Sequence, residues 1–524
     1  MTPWLTILGI VPLVGAVAVG ATPRRSPLLA KQIALVTSLV VLLLTLAMCV
    51  DFEPKGDRFQ FVQKHDWISS FGVQYAVGAD GIALVLIALV AVLVPVVILA
   101  SWYDADPEAE SSAGTDGPPV PERKRSVKTF FALLLVLETM MIGVFAATDV
   151  FLFYVFFEAM LIPMYFLIGS YGGPKRSYAA VKFLLYSLFG GLLMLAAVIG
   201  LYVASARQGL GTFEFDKLTQ MEFSHSTQVL LFLGFFIAFA IKAPLFPFHT
   251  WLPDAGAEAP IGGAVLLVGV LDKVGTFGFL RYCLPLFPWA ARELAPLVIT
   301  LCVIGILYGA LLAMGQKDLK RLVSYTSVAH FGFIGLGCFA FTTQAQTGAV
   351  LYMVNHGLST GALFLVVGFL VVRGRSRLVG DYSGIGQVAP VLSGVFLVAG
   401  LSSLALPGLS TFVSEFLVLV GTYQRYQVAA ILATVGIIFA ALYILLMYQR
   451  TMQGTLSAAH EKMRDLRLRE VLAVGPLLAL MIVFGFYPKP LTDIITPAVT
   501  HTMEDLGVQD PAPSQLNTAT TEKR

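Results

Sequence analysis

Long apolar runs, separated by short polar stretches, make up most of the chain. A helix needs roughly 20 predominantly apolar residues to cross a bilayer. Runs of that order stand near 3–21, 30–50, 80–102, 128–147, 149–170, 178–205, 228–249, 261–283, 294–314, 320–342, 346–372, 389–421, 427–449 and 470–487. They predict an all-α polytopic membrane protein of about 14 transmembrane helices, an even number that puts both termini on one side. The first run, MTPWLTILGIVPLVGAVAVGA, has no basic stretch ahead of it and reads as a retained span rather than a cleaved signal.

Two runs are broken from within. Ala238 to Pro260 reads AFAIKAPLFPFHTWLPDAGAEAP, with Pro244 and Pro247 close behind Lys242. Each proline lacks an N–H and cannot bond the carbonyl four residues back, so the seventh span must break there. The twelfth, 389–421, is interrupted by Pro407–Gly408. Carbonyls freed in lipid are tolerated only where protein or a water-filled cavity receives them. An offset of five spans between the breaks is odd, so corresponding helices run in opposite directions. That is the pattern of two inverted five-helix repeats, about 128–283 and 294–449, with sites at the midplane breaks.

Polar stretches add little beyond the spans. Asp51 to Asp80 alternates in FQFVQKHDW and VQYAV, which predicts a short external hairpin. Asp104 to Glu122, rich in Pro, Gly, Ser and acid, predicts a flexible cytoplasmic loop. The tail after Pro488 is polar and predicted to be extended or partly disordered, leaving 1–487 as one transmembrane domain and 488–524 as a polar tail.

Composition excludes a soluble globular domain, since 57% of residues are hydrophobic and 13% charged. The net charge of +2 is spread over short loops, which points to no nucleic-acid partner. Cys49, Cys283, Cys302 and Cys338 lie in or beside apolar runs without metal-ligand spacing and read as small core residues. Alternate loops and their edges hold 20 of the 34 Lys and Arg residues, among them Arg24, Arg123, Lys175, Lys317, Arg373 and Arg450. That set should face the cytoplasm, which leaves both termini external.

The candidate chemistry is a row of ionisable residues inside separate spans. Glu158 lies deep in the fifth, Lys242 at the break in the seventh and Lys273 in the middle of the eighth. His330 lies in the tenth, His356 in the eleventh, and Glu415 follows the break in the twelfth. A charge at a helix centre costs about 2.5–3.5 kcal/mol on insertion scales, so several without pairing or use are not expected. Each has a plain alternative: a lysine can snorkel, a Glu–Lys pair can fix packing, and a lone histidine is often a satisfied core residue. Six on separate spans favour a path for ions or protons. Glu158 and Lys242 are expected to form a switchable ion pair. Glu138, Lys182 and Asp272 are weaker candidates; Asp272 adjoins Lys273 but points about 100° away round the helix. The glycines of FGFIGLG read as close helix packing, not a nucleotide fingerprint.

On FYVFFEAMLIPMYFLIG, KAPLFPFHTWLPDAGAEAP, LDKVGTFGFLRY, QKDLKRLVSYTSVAHFGF, NHGLSTGALF and LPGLSTFVSEFLVLVG, the chain resembles a known family over nearly its full length. It is similar to the antiporter-like membrane subunits of proton-pumping NADH:quinone oxidoreductase (respiratory complex I), subunit M in particular. The resemblance implies a proton path through Glu158, Lys242, Lys273, His330, His356 and Glu415. The relatives L and N typically have lysine at the last position, so Glu415 favours M. It implies no cofactor in this chain, with NADH, FMN, iron–sulfur clusters and quinone in partner subunits. It also implies L and N as membrane partners, protons as cargo and the bacterial cytoplasmic (inner) membrane as location. Gly256 departs from the family, which often has histidine there, and 104–122 looks like an insertion. A subunit of a multi-subunit cation/proton antiporter shares most of these motifs. A non-transporting membrane scaffold is the alternative from another class.

Overall fold

The computed structural model describes residues 2–23, 25–106 and 126–512. The basic residues Arg24 and Arg123 to Arg125, most of the 104–122 loop and the end of the tail lie outside the described residues.

Among the described residues, 13 helices are long and apolar enough to span a membrane, from Trp4–Ala21 to Leu468–Phe486. The remaining expected span is the twelfth, split into Pro390–Ser403 and Ser410–Tyr423. All 14 runs therefore correspond to helical spans, one of them in two pieces. The third (Gly81–Ala100), eighth (Ile261–Leu286), tenth (Leu319–Phe339) and eleventh (Thr343–Gly374) are buried along most or all of their length. The first, second, sixth, thirteenth and fourteenth lie at the periphery and leave apolar side chains such as Val17, Leu43 and Val428 exposed, as a lipid-facing surface requires. The tenth span approaches the ninth through glycine: a Cβ at Gly332 would stand 2.8 Å from the Cys302 carbonyl oxygen.

The breaks follow from their prolines, and protein receives what they free. The seventh span, His225–Lys242, ends where Pro244 cannot bond the Ala240 carbonyl. The Leu245 N–H takes that carbonyl at 2.9 Å, and the Trp251 indole N–H takes the Ile241 carbonyl at 2.8 Å. The chain then forms a short helix, Leu252–Glu258, before the eighth span. In the twelfth, Gly408 adopts φ +92°, a conformation that a side chain would strain. The Thr411 hydroxyl donates to the Ser402 carbonyl at 2.6 Å and ties the two halves together. A feature that apolar pattern does not reveal is two π-helical stretches in the eighth span, 267–271 and 279–283. Lys273 lies between them.

The expected hairpin is present as two antiparallel strands, β1 (Gln60–Ile68) and β2 (Val73–Ala79), with His65 opposite Tyr75. The tail departs from expectation. Lys489–Leu506 is a helix, not an extended segment. Its apolar residues recur at helical spacing, Ile495, Val499, Met503 and Leu506, and all four are buried. Polar composition hid this stripe. Asp505 on that helix pairs with Arg58 before the hairpin at 2.6 Å, so tail and hairpin share one face of the bundle.

A buried ion pair fixes that face to the core. Arg281 in the eighth span lies 2.7 Å from Asp80, and both side chains are almost fully buried. Asp80 also accepts from the Ala83 N–H at 2.8 Å, capping the third span. Removing one partner leaves a buried charge uncompensated, at a cost of about 3–5 kcal/mol. Arg281→Ala is therefore expected to lower the thermal unfolding temperature in detergent well below that of the wild-type chain. An unchanged midpoint would show that Asp80 does not need this partner.

Candidate functional site

Four of the six candidate residues lie together on the central spans. Lys273 is fully buried, donates to the Val268 carbonyl within its own helix and stands 2.6 Å from His356 Nδ1. Charged Lys273 can only donate, so with the ammonium in place Nδ1 of neutral His356 is the acceptor and Nε2 carries the hydrogen. His356 and His330 follow each other with ring centres 5.2 Å apart. His330 Nδ1 lies 2.6 Å from the Tyr352 hydroxyl, and Tyr352 donates to Glu415 Oε2 at 2.8 Å. With its one proton given to Glu415, Tyr352 accepts from His330 Nδ1–H. His330 Nε2 is then free to accept from the Ser403 hydroxyl, 3.3 Å away.

Lys273, His356, His330, Tyr352 and Glu415 thus form a row from the eighth span to the broken twelfth. Tyr352 is the member that sequence reasoning missed. Its signal was spacing: Tyr352 and His356 are four residues apart on the eleventh span and so share a face. An uncharged phenol in an apolar helix does not stand out by composition.

Glu158 and Lys242 form a separate group. The Glu158 carboxylate lies against Gly191 of the sixth span, where a Cβ would overlap it. The Lys242 ammonium is buried over the rings of Phe157 and Phe183, 5.2 and 5.7 Å from their centres. Lys242 Nζ and Glu158 Oε1 have no hydrogen-bond partner among the described residues, so the expected ion pair is open here. Phe157 and Phe183 hold the cation by their faces instead. Glu138 and Asp272 are fully buried, and neither carboxylate has a hydrogen-bond partner among the described residues.

Ion pairs clamp the connection that follows the break in the seventh span. Asp254 accepts from Lys182 of the sixth span at 2.7 Å and pairs with Arg321 of the tenth. Burial raises the Asp254 carboxyl, but the bonds from Lys182 and Arg321 outweigh it and hold it below the ordinary carboxylate range. Glu258 pairs with Arg377 at 3.0 Å and accepts from the Lys175 N–H at 2.9 Å. Lys182 is therefore a clamp and not a free snorkelling residue. At Gly256 a Cβ would stand 2.5 Å from the Ser324 hydroxyl, so close packing on the tenth span leaves no room for histidine.

Among the described residues no group of His, Cys, Asp and Glu could hold a metal ion. The site is a chain of proton donors and acceptors. Tyr352→Phe would leave both His330 Nδ1 and Glu415 Oε2 without their shared partner, at a cost of about 1–3 kcal/mol for each buried group. The variant is expected to unfold at a lower temperature in detergent; a wild-type melting curve would contradict the row.

Residues 147–440 match a family described as NADH:quinone oxidoreductase/Mrp antiporter, TM. NADH-quinone oxidoreductase subunit M of Mycobacterium tuberculosis is 50% identical over 530 aligned residues, covering 98% of this chain and 96% of that protein. Among solved structures, a chain of respiratory complex I from Thermus thermophilus with bound NADH matches with a TM-score of 0.85 and 31% identity. That match covers 96% of this chain and 100% of the other. The Mrp complex from Dietzia sp. shares the fold, with a TM-score of 0.80 at 19% identity, covering 97% of this chain and 100% of the other. The chain belongs to the NADH:quinone oxidoreductase/Mrp antiporter membrane family and, within it, to the antiporter-like subunits M of NADH-quinone oxidoreductase.

Proposed function

We propose that this chain translocates protons across the bacterial cytoplasmic membrane, driven by NADH oxidation and quinone reduction in partner subunits. The observation that carries the reading is the row from Lys273 to Glu415. Every side chain in it can donate or accept a proton; Lys273, His330, Tyr352 and His356 lie on spans buried along most or all of their length, and the Glu415 side chain is itself buried. Charged groups at that depth are otherwise costly.

The chemistry runs by exchange of protons along existing bonds. Lys273 gives a proton to His356 Nδ1, and His356 releases one from Nε2. A bridging water joins the two imidazoles, whose ring centres are 5.2 Å apart. His330, once protonated, passes its Nδ1 proton to the Tyr352 oxygen as Tyr352 passes its own to Glu415. Glu415 ends protonated, and release towards the external side follows the break in the twelfth span. Glu158 and Lys242 act as the switch. Closing their pair stabilises the charged lysine; opening it in an apolar site favours proton release. The two halves would work as inverted repeats, with both termini external and subunits L and N as membrane neighbours.

The family also includes Mrp antiporters, so a cation/proton antiporter subunit is the second reading. The 50% identity to subunit M favours the first.

The test is NADH-driven proton uptake in inverted membrane vesicles, normalised to assembled complex. Glu415→Gln is expected to impair uptake more than Glu415→Asp, because a carboxyl group must ionise there. Equal uptake by the Gln, Asp and wild-type forms would remove Glu415 from the path.

A further inference from the structure

The two halves of the site lack a visible link. Lys242 has no hydrogen bond among the described residues, and Lys273 is committed to Val268 and His356. Asp272 lies where a link is needed. It adjoins Lys273 on the eighth span but points away from it, towards the seventh.

The packing of the eighth span fixes that direction. Residues 272, 275 and 279 recur at helical spacing and share a face. Gly275 abuts the Phe239 carbonyl and Ala243, the residue after Lys242, so closely that a Cβ would overlap them. Phe279 stacks on Phe236 with ring centres 5.3 Å apart and meets Phe239 edge-on. The face bearing Asp272 is therefore pressed onto the seventh span beside its break. The side chain is completely buried, yet neither carboxylate oxygen has a hydrogen-bond partner among the described residues. A structural aspartate at this depth would be capped, paired or bonded to backbone. This one is none of these.

We propose that Asp272 is the proton carrier between Lys242 and Lys273. The inference rests on the proton-translocating reading and adds one residue to it. In the first step the Lys242 ammonium gives a proton to the Asp272 carboxylate, leaving a neutral amine and a carboxylic acid. In the second the acid gives that proton to the neutral Lys273 amine, restoring the carboxylate and charging Lys273. Charge balances at each step, and no further reactant is required. Lys273 then faces His356 with a proton to pass on. Because Asp272 directly follows the π-helical stretch 267–271, a small change in winding there re-aims it from one lysine to the other.

The test compares Asp272→Asn, Asp272→Glu and Glu415→Gln in the assembled complex, reading proton uptake per NADH oxidised in inverted vesicles. Asn keeps the size of the side chain and cannot carry the proton; Glu keeps the carboxyl. Loss in Asp272→Asn to the level of Glu415→Gln, with recovery in Asp272→Glu, is the expected result. Wild-type uptake in Asp272→Asn alongside impaired Glu415→Gln would overturn the carrier role and leave the path intact. Equal loss in the Asn and Glu forms would make Asp272 a packing residue and overturn it too. Wild-type uptake in Glu415→Gln would instead count against the path as a whole. If Asp272→Asn does not assemble, Asp272→Leu, which removes the polar group from the buried position, takes its place under the same criteria.

Discussion

A polar group carried into hydrocarbon without a partner costs several kcal/mol, and that penalty shapes both backbone and side chains of this protein. The seventh span can break only because Leu245 and Trp251 take up the carbonyls of Ala240 and Ile241. The twelfth can break only with Thr411 bonded back to Ser402. The same penalty confines Lys273, His330 and His356 to spans that other helices surround, and buries the Glu415 side chain on the broken twelfth. Peripheral spans carry the apolar surface, and the central ones carry the chemistry.

Ion pairs then hold the broken segments in place from both ends. On one face Asp254 and Glu258 are gripped by Lys182, Arg321 and Arg377. On the other, Arg281 and Asp80 join the eighth span to the third. Between these clamps the eighth span leaves α-helical geometry twice; Lys273 begins the α-helical stretch between, and Asp272 stands at the junction before it. A rigid frame around a locally loosened helix suits a site whose charges must exchange partners.

Spans and breaks were legible because both are local. Apolar length sets the first, and Pro244, Pro247 and Pro407 set the second. The ionisable residues were legible because charge is rare at that depth. What those residues touch was not. Tyr352 carries no charge and entered only through its contacts with His330 and Glu415. Glu158 and Lys242 were expected as a pair, but Phe157 and Phe183 hold the lysine by their rings and leave the pair open. The helix Lys489–Leu506 was hidden by averaging its polar and apolar faces, though its buried stripe was there to read.

The central claim is that protons pass through the row that begins at Lys273. The most direct measurement replaces the one group that joins the row to the rest of the site. Lys273→Met keeps an unbranched side chain of similar length but has no proton to give. In assembled complex, the account predicts that NADH-driven proton uptake per NADH oxidised falls below the wild-type yield. A wild-type yield from that variant would contradict it.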